Sequence, residues 1–185
     1  MIAEVGHPSV FPDTVETPRL HLRRPVPTDA DRIFQAYAQD PEVTRYLVWV
    51  PHTTVETTRK FIDFCQDRWA NSLAFPYVLT RKEDGELLGM IEIRPNGHRA
   101  DFGYVLARSY WGNGLMPEAI AALAKITLGL PTIYRMEATC DVQNTASARV
   151  LEKSGFSREG LLRRYIIHPN ISAEPRDSLL YARTK

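Results

Sequence analysis

Two glycines set two residues apart, Gly112 and Gly114, lie within the stretch Tyr104–Ala119, between a run of strand character and a run of helix character. Glycine lets the backbone turn tightly and approach a ligand closely. The first N–H groups of a helix have no internal partner, and the helix dipole adds positive potential at that end. A strand that passes through such a loop into a helix is suited to an anion, a phosphate or pyrophosphate above all. Pro117 fits the first helical turn, where a missing N–H costs little. Two phosphate-binding classes are excluded. A Walker A loop ends in Gly-Lys-Ser/Thr, and a dinucleotide fingerprint needs a third small residue where Pro117 stands. Taken alone, the loop also reads as an ordinary strand-to-helix turn.

The flanking segments must hold this loop in place. Leu20 and Leu22 alternate with polar neighbours and predict a first strand, ended by Pro25 and Pro27. Thr28, with Asp31 three positions on, predicts a helix start. Ile33, Phe34, Tyr37 and Ala38 then share a helical face until Pro41 closes it. A second helix starts near Thr54, with Phe61, Ile62, Cys65 and Trp69 as its apolar stripe. Strands are expected over Tyr77–Thr80, Leu87–Arg94 and Ala100–Leu106. Glu83-Asp84-Gly85-Glu86 and Pro95-Asn96-Gly97 supply the turns of an antiparallel meander. Beyond the glycine loop come a helix over Pro117–Leu128, a strand over Tyr134–Cys140 and a helix over Thr145–Ser154 stopped by Gly155. Closing strands follow from Phe156 and over Ser178–Ala182. The expected class is α/β (α+β), a mixed sheet with helices on both faces. Residues 1–17 read as a loose N-terminal arm and 18–185 as one domain.

Composition removes several functions. Formal net charge is +1, so there is no global basic field for nucleic acid. The two cysteines, Cys65 and Cys140, form no Cys-x-x-Cys pair and are too few for a zinc site, so both read as buried thiols. Met1 to Thr17 include Glu4 and Asp13 and no long apolar run, so no signal peptide is expected. No segment has the apolar length to cross a bilayer. The expectation is a cytoplasmic protein with no metal, no direct nucleic-acid contact and no membrane contact.

Downstream of the loop lies Asn144-Thr-Ala-Ser147, followed by Glu152-Lys153-Ser154-Gly155-Phe156-Ser157-Arg158-Glu159-Gly160. With Gly103-Tyr104, Tyr110-Trp111-Gly112-Asn113-Gly114, Glu118-Ala119 and the opening Thr17-Pro18-Arg19-Leu20-His21-Leu22-Arg23, the chain resembles the GNAT superfamily of acetyltransferases. Within it, the resemblance is to the ribosomal-protein N-terminal acetyltransferase (RimJ/RimL) branch, over nearly the whole chain after the first residues. The resemblance implies the GNAT fold, a mostly antiparallel mixed sheet with a splay between its central parallel strands. It implies acetyl-CoA as co-substrate. The N–H groups of Trp111, Gly112, Asn113, Gly114 and Leu115 would cradle the pyrophosphate. Val105 and Leu106 would offer their backbone to the pantetheine arm, like an added strand. Asn144 would bond the pantetheine, a role that stands beside plain helix capping. Arg108, Arg149 and Lys153 are candidates for the adenosine phosphates or ordinary surface charges. Glu118 reads first as structural.

There are two departures from the family. Many members carry Gln or Arg three residues before the first loop glycine, where this chain has Ser109. Many also place a Tyr seven residues after the Asn, as the acid for the leaving thiolate, where this chain has Leu151. Ser147 is the candidate substitute, as in RimL-like enzymes, and stands beside its reading as a helix-surface hydroxyl.

Amine acetylation needs a neutral nucleophile, and amines have pKa values of about 8 to 10.4. A group must take that proton, directly or through water. Glu92 and Asp101 are the candidate carboxylates, Glu92 first; Asp177 reads as a recurring acidic position or a structural salt bridge. A backbone N–H near Leu106 is the expected donor to the thioester oxygen. Tyr46, Trp49, Val50 and Trp69 are candidates for an acceptor cleft. The acceptor is expected to be a primary amine, on a protein N-terminus or a small molecule, attacking directly in a ternary complex. Many relatives are dimers, so a homodimer is a further expectation. The alternative is a non-catalytic acyl-CoA-binding or sensing module that kept the loop and lost the acid, and Leu151 is the feature in its favour.

Overall fold

Strand alternation decides which side chains meet which helices, and in this chain both faces of the sheet are covered. The computed structural model describes residues 11–185. The strands are β1 (Thr14–Glu16), β2 (Leu20–Arg23), β3 (Phe75–Arg81), β4 (Leu87–Asn96), β5 (Arg99–Leu106), β6 (Arg135–Asp141), β7 (Ser157–Ile166) and β8 (Arg176–Thr184). They form an eight-stranded sheet in the order β1-β2-β3-β4-β5-β6-β8-β7. Every neighbouring pair is antiparallel except β5 and β6, which are parallel.

The helices are α1 (Ala30–Ile33), α2 (Pro41–Thr44), α3 (Val55–Ala70), α4 (Leu115–Gly129) and α5 (Thr145–Lys153). One apolar cluster joins Ile91, Ile93, Phe102 and Met136 of the sheet to Ala119, Ile120 and Leu123 of α4 and Leu151 of α5. A second joins Val78, Leu87 and Met90 to Ile33, Tyr37, Ile62 and Cys65 from the other helical layer. Burying one such side chain contributes roughly 1.5–3 kcal/mol. Coverage on both sides explains why Leu87–Ile91 carry no polar alternation, since all five are buried. By contrast β7 is largely exposed and ends the sheet with Arg158, Arg163 and Arg164, charges that discourage edge pairing.

The meander, the second helix and the helix–strand–helix order of the second half fall where the sequence places them. Thr54 caps α3 as expected, accepting from the Thr57 N–H. Four local expectations change. Thr28 does not cap the first helix. It lies in a 3-10 turn over Pro27–Asp29, where buried Asp29 accepts from the Val26 N–H and from both terminal nitrogens of Arg23. The turn runs into α1 and then a π-helical turn over Phe34–Ala38. Pro41 begins α2 rather than ending the preceding helix, because Asp40 caps the N–H groups of Glu42 and Val43. Pro95 and Asn96 lie within β4, leaving Gly97 and His98 as the turn. This suits Pro95, because β3 pairing ends opposite Ile93 and no ladder bond is asked of the missing N–H there. Finally, Thr14–Glu16 of the expected loose arm pairs with β2, while residues 1–10 lie outside the described residues.

Candidate active site

The sheet is parted at its centre. β5 and β6 pair only from Arg99–Asp101 against Arg135–Glu137. β5 then continues to Leu106 and β6 to Asp141 with no pairing between them. On its other side β5 stays bonded to β4 as far as Leu106 opposite Gly89. The Ala107 N–H donates to the Leu88 carbonyl at 2.7 Å. By strand alternation Gly103 and Val105 also turn their peptide groups to β4, and Phe102, Tyr104 and Leu106 turn theirs to the gap. Leu106 is therefore placed as expected, with its N–H facing the splay. Val105 is not, since its peptide groups belong to the β4 ladder, and Tyr104 takes that position. Peptide groups facing a gap require a partner.

The glycine loop closes one end of the gap. It turns through a short 3-10 segment, Arg108–Tyr110, and the Trp111 indole N–H donates to the Leu106 carbonyl at 2.7 Å. Gly112 and Gly114 have φ of 81° and 72°, in the left-handed region that strains other residues. A Cβ at Gly112 would meet no atom within 4 Å, so the space beside it is open. Among the described residues, the N–H groups of Gly112, Asn113 and Gly114 donate to no protein acceptor, and those of Leu115 and Met116 begin α4. Trp111 differs from the expectation, because its amide donates to the Arg108 carbonyl. Four successive residues, Gly112 to Leu115, thus present free amides at a helix N-terminus, an anion cradle.

Glu118 holds this cradle to the first strands. One oxygen accepts from the Thr17 hydroxyl at 2.6 Å and the Arg19 N–H at 2.9 Å, and the other from Arg19 Nε at 2.7 Å. Arg19 also donates to the Asn113 carbonyl at 2.9 Å. Burial works to raise the Glu118 carboxyl, but the bonds from Thr17 and Arg19 outweigh it and hold the group below its ordinary range.

Across the gap, Asn144 caps α5, its side-chain oxygen accepting from the Ser147 N–H at 3.1 Å. Its amide nitrogen has no protein acceptor among the described residues. The Ser147 and Tyr104 hydroxyls are 2.7 Å apart. Burial pushes the Cys140 thiol of β6 up to about 11. Leu151 is fully buried in the core.

Glu92 and Asp101 lie on the opposite face of the sheet from Ser147. Arg94 lies over Gly103 and donates to Glu92 at 2.7 Å and to Asp101 at 2.6 Å. Arg68 of α3 is 3.2 Å from the other Glu92 oxygen. Asp101 sits where β5 and β6 are still paired, at the closed end of the splay, and Glu92 stands opposite Gly103, nearer the opening. Asp177 accepts from the Arg164 N–H at 2.8 Å and lies 4.0 Å from Arg163. Arg108, Arg149 and Lys153 are exposed.

A cavity of about 40 Å³ lies on this second face, lined by Tyr37, Trp49, His52, Phe61, Met90 and Val105. Burial lowers the His52 pKa, so the lining is uncharged at neutral pH. The Trp49 backbone is clamped by Asn170 of the β7–β8 loop, which donates to the Thr44 and Trp49 carbonyls at 2.7 and 2.8 Å. Of the other expected cleft residues, Val50 is exposed and Tyr46 faces His168 edge-on. Trp69 is in the opposite core, against Phe75 and Tyr77, because those strand residues point away from the cavity. Sequence reasoning missed Tyr37, His52 and Phe61 as neighbours, and gave Tyr104 no role. The Gly103-Tyr104 pair was visible, but its contact with α5 is a tertiary one.

Among the described residues, no group of three or more His, Cys, Asp or Glu could hold a metal ion, and no helix is long and apolar enough to cross a membrane.

The acetyltransferase (GNAT) domain family matches residues 19–157. An uncharacterized N-acetyltransferase of Bacillus licheniformis, p20, is 37% identical over 158 residues, covering 83% of this chain and 87% of that one. The ribosomal protein uS5-alanine N-acetyltransferase of Escherichia coli (strain K12) is 25% identical over 177 residues, 91% of this chain and 89% of that one. A solved structure of Mycobacterium smegmatis RimJ in complex with CoA-disulfide matches with TM-score 0.83 and 26% identity, over 95% of this chain and 88% of that one. The chain belongs to the GNAT family of acetyltransferases.

Proposed function

We propose that the chain transfers an acetyl group from acetyl-CoA to a primary amine, by direct attack within a ternary complex. The observation that carries this reading is the juxtaposition of the parted strands β5 and β6 with the free amides of Gly112 to Leu115. Those amides suit a pyrophosphate. The open side of β5, at Tyr104 and Leu106, suits the amides of a pantetheine arm, and Asn144 at the start of α5 has an unengaged amide nitrogen for it. The Leu106 N–H is the proposed donor to the thioester oxygen, where a fixed dipole stabilises developing negative charge.

Glu92 is the proposed proton acceptor, directly or through a water. It is less exposed than Asp101, at 26% against 45% of the side chain, and stands nearer the open end of the gap. Ser147 is on the other face. This separation suits the reaction, since the amine loses its proton on one side and sulfur leaves on the other. The uncharged cavity beside Val105 supports an acceptor whose group next to the amine is small and apolar, on a protein N-terminus or a small molecule.

The test is an amine panel with acetyl-CoA, reading free thiol, alongside calorimetric binding of CoA. Amine-dependent thiol release is expected, faster for peptides starting with Ala or Val than for those starting with Asp or Lys. CoA binding with no thiol release on any amine favours the sensing module instead, the reading that buried Leu151 supports.

A further inference from the structure

Beside the splay, a hydroxyl of β5 meets a hydroxyl of α5. Ser147 Oγ of α5 lies 2.7 Å from the Tyr104 hydroxyl of β5. α5 offers the gap no second proton-bearing group one turn on, because Leu151 is buried in the core. Whatever interaction the departing sulfur receives from α5 therefore comes from Ser147.

A serine hydroxyl has one hydrogen and two acceptor lone pairs, and its hydrogen rotates to suit its neighbours. Beside the Tyr104 hydroxyl, the direction of that hydrogen depends on which of the two donates. Tyr104 has a choice of acceptors, Ser147 Oγ at 2.7 Å or the Ser147 carbonyl at 3.3 Å. The shorter contact is ideal for a hydroxyl pair, and the longer one lies beyond the usual range. The Ser147 carbonyl is also committed to the helix ladder. Burial pushes the Tyr104 phenol well above its ordinary value, which its bond to Ser147 offsets only in part, so the phenol stays protonated.

We propose that Tyr104 is a positioning residue for the leaving group: its phenol donates to Ser147 Oγ, which leaves the Ser147 hydrogen for the thioester sulfur as the C–S bond breaks. The assignment rests on the acetyl-transfer reading above. The bonds balance without a proton from either residue. A C–N bond forms, the C–S bond breaks, and its electron pair leaves on sulfur. The amine proton goes to the base or water, and the thiolate is protonated from water after release. Ser147 stabilises the negative sulfur by a hydrogen bond, and Tyr104 keeps that bond aimed.

The test is a double-mutant cycle of Tyr104→Phe, Ser147→Ala and both together. Tyr104→Phe keeps the ring stacked on Phe102 at 6.2 Å, so the fold is retained and a melting curve verifies it. Thiol release with the best amine gives kcat and KM, and calorimetry gives CoA affinity. The expected result is a fall in kcat of about tenfold for Tyr104→Phe, the effect of one lost hydrogen bond. KM for acetyl-CoA and CoA affinity should stay within about twofold, and the double variant should be no slower than Ser147→Ala. A merely structural tyrosine would slow both backgrounds alike, and that result overturns the proposal. So does a Tyr104→Phe enzyme as fast as the parent, or faster, since Ser147 would then be the donor to Tyr104. If the parent binds CoA but releases thiol with no amine, the acetyl-transfer reading falls and this one falls with it. If the parent turns over and the cycle is additive, only the role of Tyr104 falls.

Discussion

At the scale of single residues, the cradle depends on what is missing at Gly112. No side chain occupies the space beside it, and its φ of 81° suits few other residues. Gly112→Glu places bulk and negative charge where an anion is expected. Loss of CoA binding by calorimetry is the expected outcome, with a melting temperature lowered only by the strain of a side chain at that φ, about 1–2 kcal/mol, and a folded loop otherwise. Unchanged affinity would remove the loop from the site. The loop was legible in the sequence because its signal is local, two glycines and a helix start. The Tyr104–Ser147 contact was not, because the two residues lie on different elements and meet only when β5 and α5 pack together. The same reason hid the arginine pairing of Glu92. Residue type marked it as a candidate base, but Arg68 reaches it from α3, a helix distant in sequence that packs on the same face of the sheet.

At the scale of elements, Glu118 joins the first turn of α4 to the segment before β2 through three hydrogen bonds. Hydrogen bonds to a charged group contribute about 1.5–3 kcal/mol each, less when exposed, and Arg19 is exposed. Glu118→Ala is expected to destabilise the chain by roughly 1–3 kcal/mol in urea melts. It should also weaken CoA binding, because Arg19 then no longer fixes the Asn113 carbonyl. Glu118→Gln should recover part of both. Which elements form was largely readable from periodicity and turn residues. The parting of β5 and β6 was expected only through the family resemblance, because by periodicity Phe102–Leu106 and Ala138–Cys140 read as ordinary strands throughout. Separation is a property of the pair, set by the loop and helix that follow each strand. The start of the chain was misread for a related reason, since Pro41 stops one helix as readily as it starts another, and Asp40 decides between them.

At the scale of the whole molecule, two carboxylates hold distant parts together and titrate accordingly. Glu118 and Asp141 both sit below the ordinary carboxylate range. Burial raises Asp141, but bonds from Arg176 and the Gln143 N–H outweigh it. A group whose folded value is depressed contributes stability above its unfolded value of about 4, and that contribution is lost as pH falls through the folded value. Thermal stability should therefore be flat from neutral pH to about 5 and fall below about 4. Asp141→Asn should flatten that fall while lowering stability at neutral pH, because Arg176 loses its partner. A parent whose stability rises on acidification would contradict the sign.

The parting of β5 from β6 has a consequence for the sheet as a structure in its own right. It is a strand edge placed within the sheet instead of at its rim, flanked by β6 and α5. The peptide groups it leaves open reduce the cohesion of the empty fold, and a bound ligand restores it. Stability of the empty chain and affinity for the ligand are therefore opposed quantities. A substitution that zipped the two strands together would harden the molecule and abolish its purpose, so selection for function keeps this sheet short of its most stable form.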